Sequence, residues 1–222
     1  MGRPRRDAPA SPGIVGGDVP LRAKANASVT GVVVLGATGS VGARAADVLQ
    51  EHPDRFRVLG LAAHSRGEEL LALARRLSAP VIALVDEQAA EALRRRLVPG
   101  DPEVRSGEAG LLSLVAQPGV GTVLQATTGA AGLSASLETV LLGKRLALAN
   151  KESMVVAGPL LLAAAKASGA AIVPVDSEHC ALHQCLRAGS HAELRRLVLT
   201  ASGGPFLRAT KERLARATPA EA

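Results

Sequence analysis

The sequence predicts an α/β protein, a Rossmann-like, mainly parallel and doubly wound sheet followed by the start of an α+β catalytic domain. Three observations carry this. From Val29 onward, short apolar runs alternate with helix-length segments, the pattern of a parallel sheet covered on both faces. A glycine-rich turn, Gly36-Ala-Thr-Gly-Ser-Val-Gly42, falls between the first strand and its helix. Polar clusters recur where strands should end, the edge at which open parallel sheets bind ligands.

The elements follow in order. Val29–Leu35 reads as a buried strand and residues 41–51 as the next helix. Phe56–Ala63 is a second strand, with a helix over Glu68–Leu77, and Val81–Val85 a third, with a helix over 87–97. A helix near 108–116 leads to a strand at Gly121–Gln125, then a helix at 134–142 and a strand at Arg145–Ala149. The last apolar run, Ala170–Val175, reads as a strand, and Cys180 and Cys185 fall in a following helix. Composition shifts near residue 150, which divides the chain into a basic tail (1–28), a cofactor domain (29–150) and an incomplete catalytic and metal-binding segment (151–222).

Composition narrows the function classes. With 47% apolar residues the 222-residue chain can bury a substantial core. The net charge of +6 is misleading as a nucleic-acid signal. Arg3, Arg5, Arg6, Arg22 and Lys24 against Asp7 and Asp18 place half of it in the tail, and the remaining basic residues alternate with acids along helices. With no Trp or Tyr, and only Phe56 and Phe206 as aromatics, a stacking platform for single strands cannot be built. No apolar stretch reaches the ~18 residues of a membrane span. The tail has no hydrophobic core of a secretory signal; four prolines favour a disordered extension, while its basic, acid-poor character leaves organelle import open. The two cysteines lack C-x-x-C spacing and read as reduced, largely buried thiols of a cytoplasmic protein.

The chemistry-bearing residues are at the strand ends. Glycines at 36, 39 and 42 allow a tight turn whose N–H groups approach a pyrophosphate at a helix N-terminus. After the second strand, where an NAD site places an acid, the chain has Ala63-His64-Ser65-Arg66; a hydroxyl and a guanidinium suit a 2′-phosphate, and so NADP(H). The alternative is that Arg66 lies on a solvated face before Glu68 and Glu69. Asp176 and Glu178 follow the last strand at i and i+2, which would send both carboxylates to one side of the sheet, a donor pair suited to Mg²⁺ or Mn²⁺.

The strings Gly-Ala-Thr-Gly-Ser-Val-Gly, Gly129-Ala-Ala-Gly-Leu133, Ala149-Asn-Lys-Glu-Ser153, Val175-Asp-Ser-Glu-His179 and Ala201-Ser-Gly-Gly-Pro-Phe206 occur in one order. Together they resemble the 1-deoxy-D-xylulose 5-phosphate reductoisomerase family from about Val29 to the chain end. The resemblance implies NADPH phosphates on Thr38, Gly39, Ser40 and Val41, and the adenosine 2′-phosphate on Ser65 and Arg66, although these differ from the family's common residues there. It implies Asn150 and Glu152 on the nicotinamide side and Lys151 and Glu152 as catalytic residues. It further implies Asp176 and Glu178 on Mg²⁺ or Mn²⁺, and Lys151, Ser177, Glu178 and Ser202 on a phosphorylated sugar. His179 is either a supporting group beside metal or substrate, or a helix cap.

The implied reaction rearranges the sugar's carbon skeleton in a retro-aldol/aldol sequence and then reduces the aldehyde, giving 2-C-methyl-D-erythritol 4-phosphate for isoprenoid precursors. The family is dimeric. Against its pattern, Cys180 replaces an Asn and His183 an aromatic or aliphatic residue. The family's flexible loop, third carboxylate ligand, phosphate-binding Asn-Lys pair and helical C-terminal domain have no counterpart in the 222 residues. The chain alone is therefore expected to bind NADPH without turnover. A non-catalytic NADP-binding module and another NADP-dependent oxidoreductase of a small phosphorylated metabolite are the alternatives.

Overall fold

A computed structural model describes residues 29–200 and 203–221. Its centre is a seven-stranded sheet in the order β4-β3-β2-β1-β5-β6-β7, and every neighbouring pair is parallel. The strands are β1 Thr30–Leu35, β2 Phe56–Ala63, β3 Val81–Leu84, β4 Glu103–Ser106, β5 Val120–Gln125, β6 Arg145–Leu148 and β7 Ile172–Pro174. Between them run α1 Ser40–Glu51, α2 Gly67–Leu77, α3 Glu87–Arg94, α4 Gly107–Ala116, α5 Leu133–Leu141 and α6 Lys151–Ser168, with α7 Ser177–Leu186 and α8 Lys211–Leu214 after the sheet. The expected doubly wound architecture is present, and the sheet continues through residue 150 because β7 pairs with β6.

Strand alternation divides the core. Val32 and Val34 of β1 point to one face, where Leu49 of α1, Leu70 and Leu71 of α2 and Leu93 of α3 cover them. Val33 and Leu35 point to the other, against Leu111, Leu114 and Val115 of α4 and Ala135 of α5. A smaller cluster of Val140, Leu146, Leu148, Leu161 and Ala165 joins α5, β6 and α6. Nearly every residue of β1 and β3 is buried, as expected of strands sandwiched between two helical layers.

Several expectations need correction. The strand β4 was not anticipated. Only Val104 in Glu-Val-Arg-Ser is buried, and Arg105 Nε donates to Glu103 Oε1 at 2.8 Å on its outer side, so this is a short, charged edge strand without apolar alternation. Helix α3 ends at Arg94 and not at residue 97. There Arg94 turns back to donate from Nη2 to the Val104 carbonyl at 3.0 Å, and Arg96 N bonds Leu93 O at 2.9 Å in a tightened last turn. Helix α6 was hidden by Gly158-Pro159. It is kinked, with Ala157 at φ −139° and ψ 26°, the break a proline imposes when it cannot donate into the preceding turn. Cys180 is half-buried but Cys185 is exposed, because no residue of α7 is fully buried. Among the described residues no helix is long and apolar enough to cross a membrane.

Candidate functional site

Strand order reverses at β1, which has β2 on one side and β5 on the other. Because all strands are parallel, their C-terminal ends share one edge. Leu35 pairs with Ala62 and Gln125, Gln125 with Leu148, and Leu148 with Pro174. The crevice expected at such a switch point is flanked by the loops that follow β1, β2, β5, β6 and β7. All described candidate residues lie on those loops or on the helices that they open.

The glycine turn is built for close approach. Gly36 has φ +79°, and a Cβ on it would lie 2.5 Å from the Ala126 carbonyl oxygen. A Cβ on Gly42 would lie 2.3 Å from the Gly36 carbonyl oxygen, so α1 starts directly against the turn. Gly39 is the N-cap and offers no side chain to the first-turn amides, which leaves them to an external anion. Thr38 and Gly39 are half-buried, while Ser40 and Val41 are exposed.

Ser65 and Arg66 are exposed just beyond β2. Arg66 Nη1 lies 3.2 Å from Glu69 Oε2, and both side chains are more than half exposed. A pair this open to water holds its partners weakly, so the guanidinium is free to turn to a stronger anion.

Asn150 begins α6. Its side-chain oxygen accepts from Ser153 N at 3.0 Å and Ser153 Oγ at 2.5 Å, while Nδ2 donates to Thr127 O at 2.9 Å and Gly129 O at 2.8 Å. Its side-chain hydrogen-bonding groups are thus engaged within the protein. Lys151 is exposed and Glu152 half-buried in the helix's first turn.

The geometry around Asp176 and Glu178 differs from the strand pairing expected. β7 ends at Pro174, Asp176 is the N-cap of α7, and Glu178 is in that helix's first turn. Val175 N still donates to Leu148 O at 2.9 Å, and the chain then turns at Asp-Ser-Glu, a helix-starting sequence whose acids complement the N-terminal dipole. The two carboxylates still share a neighbourhood. Ser177 Oγ donates to Glu178 Oε2 at 2.8 Å and holds the Glu178 carboxyl below its usual range, helped by a backbone amide and Lys151 and opposed by Asp176. His179 Nδ1 lies 2.5 Å from Asp176 Oδ2; as a contact between the third residue of α7 and its N-cap, it is compatible with both sequence readings of His179. Among the described residues no group of three or more His, Cys, Asp and Glu side chains forms a metal cluster. Ser202, the remaining candidate, lies outside the described residues.

Sequence reasoning missed Gln125 and Thr127. Gln125 is completely buried, donates from Nε2 to Gly132 O at 3.0 Å and accepts from Thr127 Oγ1 at 2.8 Å. A glutamine closing the otherwise apolar Val-Leu-Gln strand end was the available signal.

A seven-stranded parallel sheet wound on both faces, with a glycine turn at its switch point, places the chain in the Rossmann-like α/β class. Within that class the chain belongs to the 1-deoxy-D-xylulose 5-phosphate reductoisomerase family: the family model matches residues 32–158, and that of the family's C-terminal domain matches 172–222. The Anaeromyxobacter dehalogenans reductoisomerase is 50% identical over 191 residues, covering 86% of this chain and 49% of that protein. The Mycolicibacterium smegmatis enzyme is 48% identical over 192 residues, covering 86% and 46%. A solved DOX-P reductoisomerase in complex with NADPH, fosmidomycin and magnesium has a TM-score of 0.73 at 38% identity, covering 87% of this chain and 50% of that one. The Zymomonas mobilis reductoisomerase in complex with NADPH gives 0.74 at 36% identity, covering 88% and 51%. The chain thus spans about half the length of the relatives it matches.

Proposed function

We propose that the complete protein is an NADPH- and divalent-metal-dependent reductoisomerase converting 1-deoxy-D-xylulose 5-phosphate to 2-C-methyl-D-erythritol 4-phosphate. Residues 29–150 are its cofactor-binding part and 151–222 belong to its catalytic part. The observation that carries this reading is the meeting of the glycine turn, Asn150-Lys151-Glu152 and Asp176-Ser177-Glu178 on one sheet edge, in a chain of this family.

The residues fit the dinucleotide. Gly36 and Gly42 let the turn pack directly against the Ala126–Thr127 backbone and the start of α1, and Gly39 leaves the first-turn amides without a side-chain cap; Thr38, Gly39, Ser40 and Val41 hold the phosphate end. Ser65 and Arg66 take the adenosine 2′-phosphate, and Asn150 and Glu152 serve the nicotinamide side. Asp176 and Glu178 offer hard oxygen donors to Mg²⁺ or Mn²⁺, and His179 steadies Asp176. When bound, the cation supplies Lewis-acid polarisation of the sugar oxygens and NADPH supplies the hydride. Lys151 contributes positive charge and orients the substrate beside Glu178, and Ser177, Glu178 and Ser202 bind its hydroxyls and phosphate region. The phosphorylated sugar is the partner; no nucleic acid or membrane is assigned, the complete protein is a homodimer, and it acts in the cytoplasm unless residues 1–28 direct import.

The test is NADPH oxidation by the complete protein, followed by absorbance with the phosphorylated sugar and Mg²⁺ or Mn²⁺. Turnover should need both, and Asp176→Asn should lower it at least about 100-fold, beyond the usual cost of losing a supporting partner, with NADPH binding kept. Wild-type turnover without a metal, or full turnover in the variant, would remove the metal assignment. Arg66→Glu should erase a preference for NADPH over NADH; a retained preference would clear Arg66 of the 2′-phosphate.

A further inference from the structure

The C-terminal end of β5 carries a buried polar clasp in which Gln125 and Thr127 have no role in the reading above. A primary amide is costly to bury unless its donors and acceptor are partnered, and Gln125 meets that condition locally. Its Nε2 donates to Gly132 O at 3.0 Å, while Oε1 accepts from Thr127 N at 3.2 Å and from Thr127 Oγ1 at 2.8 Å. Its main-chain oxygen accepts from Ala149 N at 2.9 Å and Asn150 N at 3.2 Å. Asn150, 1% exposed, holds the same loop from the other side through the carbonyls of Thr127 and Gly129.

The loop is tight at its two ends, Thr127 and Gly132, while residues 128–131 between them are exposed. A Cβ on Gly132 would lie 2.5 Å from Thr127 Oγ1 and 3.1 Å from Gln125 Cδ. On its far side the loop abuts the glycine turn, where a Cβ on Gly36 would be 2.8 Å from Thr127 N. The glycine turn, the Thr127–Gly132 segment and the first turn of α6 therefore form one continuous packed unit, with the two amides inside it.

The geometry points to Gln125 and Asn150 as positioning residues: this buried amide pair fixes the Thr127–Gly132 segment between the glycine turn and α6, and so sets Lys151 and Glu152 against the nicotinamide end of the dinucleotide. The inference rests on the NADPH reading above. Asn150 acts on the cofactor through the loop that it holds, its own side-chain groups being taken. The adenosine end, served by Ser65 and Arg66 beyond β2, lies outside the clasp.

Two probes separate the ends: NADPH, and adenosine 2′,5′-bisphosphate, which lacks nicotinamide. Both are titrated into the 222-residue chain. Gln125→Met keeps the side chain's length and removes its polar atoms; Asn150→Asp keeps the acceptor for Ser153 and removes both donations to the loop. Each should weaken NADPH about fivefold to tenfold, the worth of one or two lost hydrogen bonds, and diminish the change in nicotinamide fluorescence on binding. Affinity for the bisphosphate should stay unchanged. Equal losses for both probes, or no loss for either, would overturn the inference. Should those variants unfold, Thr127→Val deletes one hydroxyl donor and is read by the same ratio, with a selective loss of about twofold to fivefold expected and an unselective or absent one decisive against it. A wild-type chain that binds the bisphosphate but not NADPH would overturn the clasp while sparing the adenosine subsite. One that binds neither would remove the NADPH reading itself, and the clasp with it.

Discussion

The two ends of the sheet are made differently. Around β1, β2 and β3, helices on both faces close over the strands, and Leu35, Leu61, Ile82, Leu84 and Leu114 are fully buried. Around β7 no strand residue is fully buried, α7 buries none, and Leu197, Val198, Leu199 and Leu207 are exposed further on. Both regions are rich in aliphatic side chains, so composition does not distinguish them. What differs is whether another layer lies on top. Among the described residues no second layer covers the consecutive Leu197, Val198 and Leu199, which are 48%, 62% and 57% exposed. The lesson is that burial is uneven along one sheet: the first region supplies the packed frame, and the second holds Asp176 and Glu178 on the more exposed start of α7.

That contrast can be broken by experiment. Leu114→Ala, at the centre of the β1–β3 core, should cost about 3 kcal/mol by the measured range for buried leucines, read by urea denaturation of the 222-residue chain. A cost near zero would mean that the core around β1 is not the frame. Gly42→Val should cost about 2 kcal/mol through overpacking against the Gly36 and Ala37 backbone, and NADPH titration should show binding lost. Normal binding in that variant would argue against the tight turn.

A smaller effect is expected at Asp101, where Arg75 donates to both carboxylate oxygens at 2.7 and 2.9 Å and, with the Val98 amide, holds the carboxyl below its ordinary range. A depressed folded-state pKa stabilises the native state above the ordinary carboxylate value, and this contribution is lost as pH falls through the folded one. Melting temperatures of wild type and Asp101→Asn should therefore differ at neutral pH and converge in acid; parallel curves would contradict the pairing. Least affected should be Leu199→Ala, within about 0.5 kcal/mol because the side chain is already 57% exposed. A cost comparable to that of Leu114→Ala would show the two regions to be alike after all.

How much the sequence disclosed depended on the kind of signal each element gave. The buried strands β1 and β3 are legible through the uninterrupted aliphatic runs Val32–Leu35 and Val81–Leu84, β2 and β5 through apolar-rich stretches broken by glycine, and the glycine turn through its position between strand and helix. β4 gave no such signal, since Glu103 and Arg105 satisfy each other at an edge where only Val104 needs covering. α6 was obscured because Gly158 and Pro159 oppose helix locally, whereas packing of Leu161 and Ala165 against β6 sustains it. At the site, residue types were legible and their geometry was not. Asp176 and Glu178 read as strand-end neighbours under a two-residue period, yet the strand ends at Pro174 and their spacing is that of a helix start. Gln125 carried a signal, a polar residue closing an apolar strand end, but its partners at Thr127 and Gly132 are defined only by the folded loop.

The place of β1 in the sheet also bears on synthesis. It is the first of the described strands to be made, and its two partners follow at very different times, β2 soon after and β5 only at Val120–Gln125. A ribosome adding about 5–20 residues per second would leave one edge of β1 without its mate for a time on the order of seconds. During that interval Val33 and Leu35 lack the α4 and α5 layer that later covers them, so the nascent chain is open to mispairing until β5 and its flanking helices are made.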